Sequence, residues 1–345
     1  MTSEPSEPSE PSEPSETSAP SACETDDVTT AADENWRLFR GDGQRRTVAI
    51  PAAPPWRRFA TAEGGTARAG AHYVIGREET DVVNAAIHLR RPLLVTGHPG
   101  TGKSSLATAI AHELDLGPVL HWPVNSRSTL QDALYRYDAI GRLQESNLAR
   151  DPDGTRSGIG SFLRLGPVGT AFVAADRPRV LLVDELDKGD IDLPNDLLTV
   201  FEEGTFEIPE LSRLPENQAE VDVLTVDPHM TARVTRGIVR CAEFPLVVIT
   251  SNGERDFPPA FRRRCLPLHL GDPDEARLRG IVEGHLGPDA LADAGDLVMA
   301  FLAQRAVGEL ATDQLLNAVF LRRGGARLDA DGLLKTVLHR LNADG

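Results

Sequence analysis

The sequence of 345 residues predicts an α/β fold, in which a doubly wound parallel sheet is followed by a C-terminal helical domain. Three observations predict it. From residue 73 onward, unbroken apolar runs alternate with helical patterns, as expected of strands covered on both faces. A glycine-rich turn joins one apolar run to the helix that follows it. Beyond Asp272 no strand pattern remains, and apolar residues recur at helical spacing.

The periodicity also places the individual elements. Helices are predicted over Arg77–Arg91 and Thr101–Leu114. Strands are predicted at Pro92–Thr96, Val119–Val124, Val180–Val183, Leu246–Ile249 and Leu266–Leu270. A bundle of three or four helices is predicted from the patterns at Leu278–Leu286, Leu297–Val307, Leu315–Leu321 and Leu333–Leu341. The boundary near residue 271 is marked by Gly271-Asp272-Pro273, and Asp272 is predicted to cap the next helix.

The first 35 residues are predicted to be a disordered acidic tail. The triplet Ser-Glu-Pro occurs four times within Ser3–Thr17, which leaves no apolar side chain to bury. Residues 1–36 hold ten acidic side chains and no Lys or Arg, so they carry most of the formal net charge of −16. The remaining 309 residues carry −6, and an acidic body argues against non-specific binding to nucleic acid.

Residues 36–72 are predicted to be a linker packed on the next domain. The anchors would be the aromatic residues of the segment, Trp36, Phe39, Trp56 and Phe59. Arg57 and Arg58 lie between two of these aromatics, so binding of single-stranded nucleic acid is the alternative use.

Cysteine usage and hydropathy bear on the cellular compartment. Three cysteines, Cys23, Cys241 and Cys265, are predicted to be reduced thiols because their number is odd and they lie far apart. No apolar run approaches the roughly 20 residues of a membrane helix, and the N-terminus lacks a secretory pattern. We therefore expect a cytoplasmic protein without a membrane span.

The glycine-rich turn has the spacing of a phosphate-binding loop. It follows a predicted buried strand, opens a predicted helix and reads Gly97-His98-Pro99-Gly100-Thr101-Gly102-Lys103-Ser104, with Ser105 next. Backbone N–H groups and the helix N-terminus would bind phosphates, and Lys103 would reach the β and γ phosphates of ATP. The Ser104 hydroxyl is predicted to be a ligand of Mg²⁺.

Two later strands end in polar residues. Val180–Val183 is followed by Asp184 and Glu185, which are predicted to hold Mg²⁺ and to polarise the attacking water, respectively. Leu246–Ile249 leads to Asn252, whose amide is predicted to lie beside the γ-phosphate, as the residue termed sensor 1 does. Alone, such an Asn would be a turn former.

The order of these elements, with an arginine-bearing helix after them, resembles AAA+ ATPases over residues 73 to 340. Asp184-Glu-Leu-Asp-Lys188 followed by Leu193–Glu203 is similar to the MoxR-type branch. The resemblance implies a P-loop sheet domain over residues 73–271, a helical lid domain over 272–345, and ATP with Mg²⁺ as cofactors. It also implies a homo-oligomer, a hexameric ring, in which a neighbour completes each site.

The same resemblance suggests further site residues. Arg264, or second Arg262, would be the arginine finger that enters the neighbour's site, unless this basic helix end only complements its own dipole. Asn125 would be the polar residue that turns Glu185 away until a partner binds, or otherwise a turn residue. Val74-Ile75-Gly76 resembles the short apolar motif that contacts the adenine base, and Gly76 would allow close approach.

One departure from the family pattern and two insertions accompany the resemblance. The stretch 308–314, where the MoxR-type lid carries its sensor 2 arginine, contains none. Residues 138–165 resemble the helix-2 insert, and residues 205–243 resemble the hairpin that precedes sensor 1. In the family these insertions engage a client on the pore side.

Three functions remain open at this point. The first is an oligomeric ATPase that remodels a protein partner, and the MoxR resemblance suggests a partner with a von Willebrand A domain. The second is a nucleotide-controlled scaffold with slow turnover, which the missing sensor 2 arginine favours. The third is a DNA-acting motor, which the acidic body disfavours.

Overall fold

The computed structural model describes residues 36–58, 73–148, 158–174, 176–308, 310–328 and 332–339. The predicted acidic tail lies outside these ranges, as do residues 59–72 of the predicted linker. The strands in these ranges are β1 (Leu93–Thr96), β2 (Leu120–Pro123), β3 (Tyr135–Tyr137), β4 (Leu163–Leu165), β5 (Val180–Asp184), β6 (Thr205–Glu207), β7 (Glu220–Leu224), β8 (Thr231–Thr235), β9 (Ile238–Arg240), β10 (Leu246–Ser251) and β11 (Leu266–His269). The α-helices are α1 (Arg77–Leu89), α2 (Lys103–Glu113), α3 (Leu130–Leu134), α4 (Ala139–Leu148), α5 (Pro167–Phe172), α6 (Leu193–Glu203), α7 (Pro209–Ser212), α8 (Pro259–Arg264), α9 (Glu275–Leu286), α10 (Pro288–Ala292), α11 (Gly295–Arg305), α12 (Thr312–Arg323) and α13 (Leu333–Val337).

The central sheet contains the five predicted strands, all parallel, in the order β11-β1-β10-β5-β2. From β1 the chain runs to the edge strand β2, returns through β5 to β10 beside β1, and then crosses to β11 on the other side of β1. The carboxyl ends of β1 and β10 therefore lie where the strand order reverses. Open α/β sheets bind ligands at such a switch point.

Both faces of the central sheet are covered, which explains why its strands read as unbroken apolar runs. Along β5, Leu181 and Val183 enter one hydrophobic core, whereas Val180 and Leu182 enter the other. The second of these cores also contains Leu106, from α2. The predicted doubly wound α/β class is thus confirmed.

A second sheet unites the two predicted insertions. Its six strands run in the order β3-β4-β7-β8-β9-β6. Strand β4 from the first insertion pairs in parallel with β7 from the second through Arg164 and Leu224, and β7 pairs with β8 as an antiparallel hairpin. The two insertions therefore form one structure.

The helices after β11 have a core of their own. Leu278, Val282, Phe301, Leu315 and Val319 are among its buried residues. The predicted fourth helix is shorter than expected within the described residues, since α13 ends at Val337 and residues 340–345 are outside them.

The predicted helix cap at Asp272 is wrong. Asp274 caps α9, because its carboxylate accepts the backbone N–H of Arg277 at 2.8 Å. The Asp272 carboxylate instead lies 3.1 Å from Nδ1 of His98 in the glycine-rich loop. Both aspartates precede the helix, so the capping rule alone could not choose between them.

The predicted aromatic anchors of the linker behave differently from one another. Trp56 packs edge-on against Phe320 of α12, with ring centroids 5.9 Å apart. Phe39 is 89% exposed, so its predicted role as an anchor is wrong. Phe59 lies outside the described residues. No helix in the described part of the chain is long and apolar enough to cross a membrane.

Candidate active site

The glycine-rich loop after β1 adopts a conformation that requires glycine. Gly100 and Gly102 have φ values of 78° and 89°, in the left-handed region. A side chain at Gly100 would also meet the lid, because its Cβ would lie 2.8 Å from both the Ala311 Cβ and the Thr312 backbone nitrogen. The loop therefore packs directly against the start of α12.

Lys103, the first residue of α2, is buried in this loop. Its Nζ donates hydrogen bonds to the carbonyl oxygens of Gly97 at 2.7 Å and His98 at 2.9 Å. Burial lowers the pKa of Lys103, although the nearby carboxylates of Asp187, Glu185 and Asp184 oppose that effect. The ammonium group thus sits between the loop and an acidic strand end.

Asp184 receives three hydrogen-bonding side chains at the end of β5. Its Oδ1 accepts from Ser104 Oγ at 2.6 Å and from Thr250 Oγ1 at 2.7 Å. Its Oδ2 lies 3.2 Å from Nε2 of His121 on β2. Burial would raise the pKa of Asp184, but the hydrogen bonds from His121, Ser104 and Thr250 outweigh it and lower the pKa to about 2. The carboxylate is therefore ionised at neutral pH.

Glu185 is held in a strained backbone conformation next to Asp184. Its φ of 58° is in the left-handed region, which is unfavourable for a residue with a side chain. The backbone N–H of Glu185 donates to Thr250 Oγ1 at 2.8 Å. The carboxylate lies 3.0 Å from Lys188 Nζ and 3.4 Å from Asn252 Nδ2. The predicted catalytic acid and the predicted sensor 1 amide therefore lie together.

Asp187 fixes the loop that carries Asn252. Its buried Oδ2 accepts the backbone N–H groups of Asn252 at 3.0 Å and Glu254 at 3.1 Å. A carboxylate that receives two backbone donors orders the segment that supplies them. Asp187 thereby links the end of β5 to the end of β10.

A cavity of about 390 Å³ lies between the central sheet and the lid helices. Its wall includes most of the predicted binding residues, namely Pro99, Gly100, Thr101, Gly102, Lys103, Ser104, Ser105, Asp184, Glu185 and Asn252. Of the predicted adenine motif, Val74 lines the cavity, as does Tyr73 before it, whereas Ile75 is half-buried against the core and is not on this wall. The Gly76 backbone N–H bonds to Glu79 at the start of α1.

A family model described as AAA domain (dynein-related subfamily) matches residues 92–265, half of the chain. The chain belongs to the AAA domain family. The match begins beside β1 and ends after α8, so it contains the glycine-rich loop, Asp184, Glu185 and Asn252. Membership of the AAA family supports nucleotide binding and ATPase activity, and the narrower MoxR-type resemblance stays a prediction.

No curated protein matches the chain. Among solved structures, the chain is similar to NtrX from Brucella abortus in complex with ADP, at 16% identity and a TM-score of 0.40 over 79% of this chain and 56% of that one. It is also similar to a candidate ATPase from Cytophaga hutchinsonii, at 14% identity and a TM-score of 0.35 over 61% of this chain and 51% of that one. The chain spans little more than half the length of these two structures.

The predicted arginine finger residues lie on α8 of the AAA domain, and neither lines its own cavity. Arg264 donates from Nε to Glu202 Oε1 at 3.0 Å and from Nη1 to the Ala260 carbonyl at 3.3 Å. Within the described residues, the side chain of Arg262 makes no such hydrogen bond or ion pair. The second candidate is therefore the less engaged of the two.

Asn125 forms a turn at the end of β2. Its Oδ1 accepts the backbone N–H of Arg127 at 2.9 Å, and its own N–H donates to Ser128 Oγ at 3.0 Å. This geometry matches the turn-residue alternative. Within the described ranges, the Glu185 carboxylate is hydrogen-bonded by Lys188 and Asn252 and not by Asn125.

The lid of the AAA protein brings a cation to the cavity from an unexpected helix. Arg277, in the first turn of α9, lines the cavity and is paired with Glu79 of α1, with Nη1 3.6 Å from Oε1. Arg322 and Arg323, farther along the chain, are held by Asp296 and by the Leu286 carbonyl. Although residues 308–314 contain no arginine, Arg277 gives the lid a positive charge at the site.

Several residues of this site were missed from the sequence. Thr250 lies at the end of an apolar strand, and His121 lies at the start of a strand that was predicted only to be buried. Neither residue was therefore predicted to belong to the site. The motif that supplies Asp184 and Glu185 also contains Asp187 and Lys188, whose spacing could have indicated their proximity to the site. No sequence signal pointed to Arg277.

Proposed function

We propose that this AAA protein hydrolyses ATP with Mg²⁺, with Ser104 and Asp184 as metal ligands and Glu185 as the group that polarises the attacking water. The observation that carries the proposal is the convergence of Ser104, Asp184 and Thr250 beside the glycine-rich loop. Hydroxyl and carboxylate oxygens 2.6 Å apart provide the hard ligands that Mg²⁺ prefers. Bound Mg²⁺ would neutralise charge on the phosphate oxygens.

Lys103 and the loop would hold the triphosphate. Phosphate oxygens would replace the carbonyl oxygens of Gly97 and His98 as acceptors for Lys103 Nζ. The N–H groups at the start of α2 would add favourable dipoles. On the lid side, Arg277 lies on the same cavity wall and would supply the cation that residues 308–314 lack.

Glu185 would orient the water through a carboxylate whose two oxygens face different partners. Oε1 is near Asn252 and Oε2 is paired with Lys188. Attack on the γ-phosphate requires this carboxylate to accept a hydrogen bond from water, so Lys188 competes with catalysis as long as the ion pair persists. Lys188, in addition to the predicted Asn125, is a candidate for restraining the glutamate.

Two variants test hydrolysis and binding separately. Glu185→Gln should retain ATP binding and lose at least about 10²-fold in turnover, because an amide cannot polarise water as a carboxylate does. Glu203→Gln, which neutralises an exposed acid at the end of α6, is the matched control and should retain turnover. Normal phosphate release by Glu185→Gln would mean that another group activates water.

Lys103→Ala should abolish ATP binding, since it removes the one cationic side chain within the phosphate loop. Binding is measured with a fluorescent ATP analogue. Retained micromolar affinity would contradict the assignment of the loop.

We propose that the protein acts as an oligomeric ring, in which an arginine of α8 enters the active site of the neighbouring subunit. Arg262 and Arg264 do not line the nucleotide cavity of their own chain, which supports a role at the nucleotide of another subunit. Among the described residues the side chain of Arg262 has no hydrogen-bond or ion-pair partner, which supports Arg262 as the finger, whereas Arg264 would first have to leave Glu202. Such a finger neutralises charge on the transferring phosphoryl group and accelerates turnover by about 10³-fold or more.

Mixing experiments identify the finger. Arg262→Ala and Arg264→Ala are each mixed with Lys103→Ala after subunit exchange has been demonstrated. Partial recovery of turnover is expected for the variant that lacks the true finger, because some interfaces regain an intact loop and an intact arginine. Recovery with neither variant would contradict a shared site.

The partner proposed for the ring is a protein, in line with the MoxR-type motif at Asp184–Lys188 and Leu193–Glu203. We expect a von Willebrand A domain protein to raise turnover, and DNA at matched ionic strength to leave it unchanged. Stimulation by DNA with a steep salt dependence would instead identify a DNA-acting motor. Assembly with ATP but negligible phosphate release, with every candidate partner, would identify a scaffold.

A further inference from the structure

Residues 36–58 are a basic segment between two acidic parts of the chain. They contain six arginines and one aspartate, whereas residues 1–35 before them contain ten acidic side chains and no Lys or Arg. No residue of 36–58 lines the nucleotide cavity described above. The sign change occurs at Trp36.

The basic segment forms one wall of a second cavity, of about 870 Å³. Arg37, Arg40, Arg46 and Arg58 line it from the segment, and Arg323 lines it from the end of α12. Arg46 is paired with Asp42, the one acid of the segment. Within the described residues, the side chains of Arg37 and Arg40 make no hydrogen bond or ion pair. Asp42 also interacts electrostatically with Arg40, but the arginines on the wall outnumber this one acid, so the cleft carries net positive charge.

The wall of this arginine cleft also contains aromatic side chains. Trp36 and Phe320 line it, and Phe320 is fixed by the edge-on contact with Trp56. A ligand for this surface must combine negative charge with an apolar face. Aromatic grooves of this kind bind proline-rich chains in the polyproline II conformation.

We propose that the arginine cleft binds the acidic leader, residues 1–35, of the same chain. The Ser-Glu-Pro repeat has a period of three residues, which is one turn of a polyproline II helix. A chain bound in that conformation presents its prolines along one edge and its glutamates along another. The proline edge would contact Trp36 and Phe320, and the glutamate edge would face Arg37 and Arg40.

The covalent connection favours this occupant over others. Residue 35 immediately precedes Trp36 on the cleft wall, so the leader is present at a high effective concentration. Single-stranded nucleic acid also combines negative charge with stacking surfaces, but the rest of the chain is acidic and would repel a long polyanion. The inference is independent of ATP hydrolysis.

The experiment uses a fluorescein-labelled peptide of residues 1–35 and two full-length proteins. One is the wild type, and in the other each of the ten acidic residues of the leader is replaced by its amide. The neutralised protein should bind the peptide at least about 10-fold more tightly in an anisotropy titration, because its own leader no longer competes. Equal affinities, or no binding to the neutralised protein, would overturn the proposal.

A matched pair of variants in the neutralised protein locates the contact. Arg37→Gln with Arg40→Gln should weaken peptide binding about fivefold or more. Arg45→Gln with Arg57→Gln removes the same charge from the same segment but outside the cleft, and should change affinity less than about twofold. An equal loss in both double variants would indicate a diffuse charge effect and would refute a specific cleft.

Two competitor ligands test the chemistry of the occupant. A peptide of the same composition with scrambled proline spacing should bind more weakly; equal binding would refute the contact between proline and the aromatic wall. A single-stranded oligonucleotide of matched charge should bind no more tightly than the peptide. Tighter binding by the oligonucleotide would assign the cleft to nucleic acid.

Discussion

Thr250→Val removes one hydroxyl that makes two hydrogen bonds in the candidate active site. Thr250 is 1% exposed, donates to Asp184 Oδ1 at 2.7 Å and accepts from the Glu185 backbone N–H at 2.8 Å. A lost bond to an ionised group costs about 1.5–3 kcal/mol, and a buried donor left unsatisfied costs about 1–3 kcal/mol. Because the two losses share one group, we expect a decrease of about 3 kcal/mol in the free energy of unfolding.

The assay is urea unfolding, combined with turnover measured under saturating ATP. Thr170→Val is the matched control, since Thr170 is also buried and its hydroxyl accepts one backbone N–H, from Val226 at 3.2 Å, outside the nucleotide cavity. The control should lose about 1–2 kcal/mol and retain turnover. Thr250→Ser should restore most of both properties. Equal losses of stability in the two valine variants, with turnover unchanged in Thr250→Val, would refute the role assigned to Thr250.

Three further predictions follow from the same geometry. Gly100→Ala should reduce nucleotide affinity at least about 10-fold, because its Cβ would meet Ala311 and Thr312. The control is Gly253→Ala, which has a similar φ of 79° and no described atom within 4 Å of its Cβ, and which should cost only about 1 kcal/mol of stability. Equal nucleotide affinities of the two variants would contradict the contact between Gly100 and the lid. Arg277→Gln should weaken ATP binding about 10-fold in calorimetry, whereas Arg279→Gln, on the same helix but not on the cavity wall, should leave it unchanged. Unchanged ATP affinity of Arg277→Gln would contradict the role of Arg277 as the lid cation. The pKa of Asp184, about 2, lies below the ordinary value of 3.8, so its ionised form contributes about 2 kcal/mol to the free energy of unfolding above pH 4, and this contribution is lost as the pH falls towards 2. In urea titrations, the stability difference between wild type and Asp184→Asn should therefore shrink between pH 4 and pH 2. A constant difference would contradict this prediction.

The sequence predicted the parts of the molecule that depend on local pattern. The apolar run at Val180–Val183 predicted a strand covered on both faces. In the structure, successive residues of this strand alternate between the two hydrophobic cores. The spacing from Gly97 to Ser104 identified the loop because its chemistry requires adjacent residues. Short-range rules of this kind do not need the tertiary structure.

Long-range juxtapositions could not be predicted in the same way. Strand β4 meets β7 at a single parallel pair, Arg164 with Leu224, and no local pattern encodes that pairing. The sequence pattern identifies Thr250 only as part of an apolar strand; the structure shows that its hydroxyl donates a hydrogen bond to Asp184. Arg277 reaches the cavity only because the lid folds back over the loop. The choice of Asp274 over Asp272 as a cap was similarly undetermined, because both satisfy the same rule.

The left-handed backbone at Glu185 implies a conflict between activity and stability in this protein. A non-glycine residue in that conformation costs about 1–2 kcal/mol, which glycine would not incur. Glycine at position 185 would therefore relieve this strain but would lack the carboxylate that is proposed to act on water. Selection for a sturdier fold alone would favour glycine here, so a glutamate in this strained turn supports the proposed role of its carboxylate.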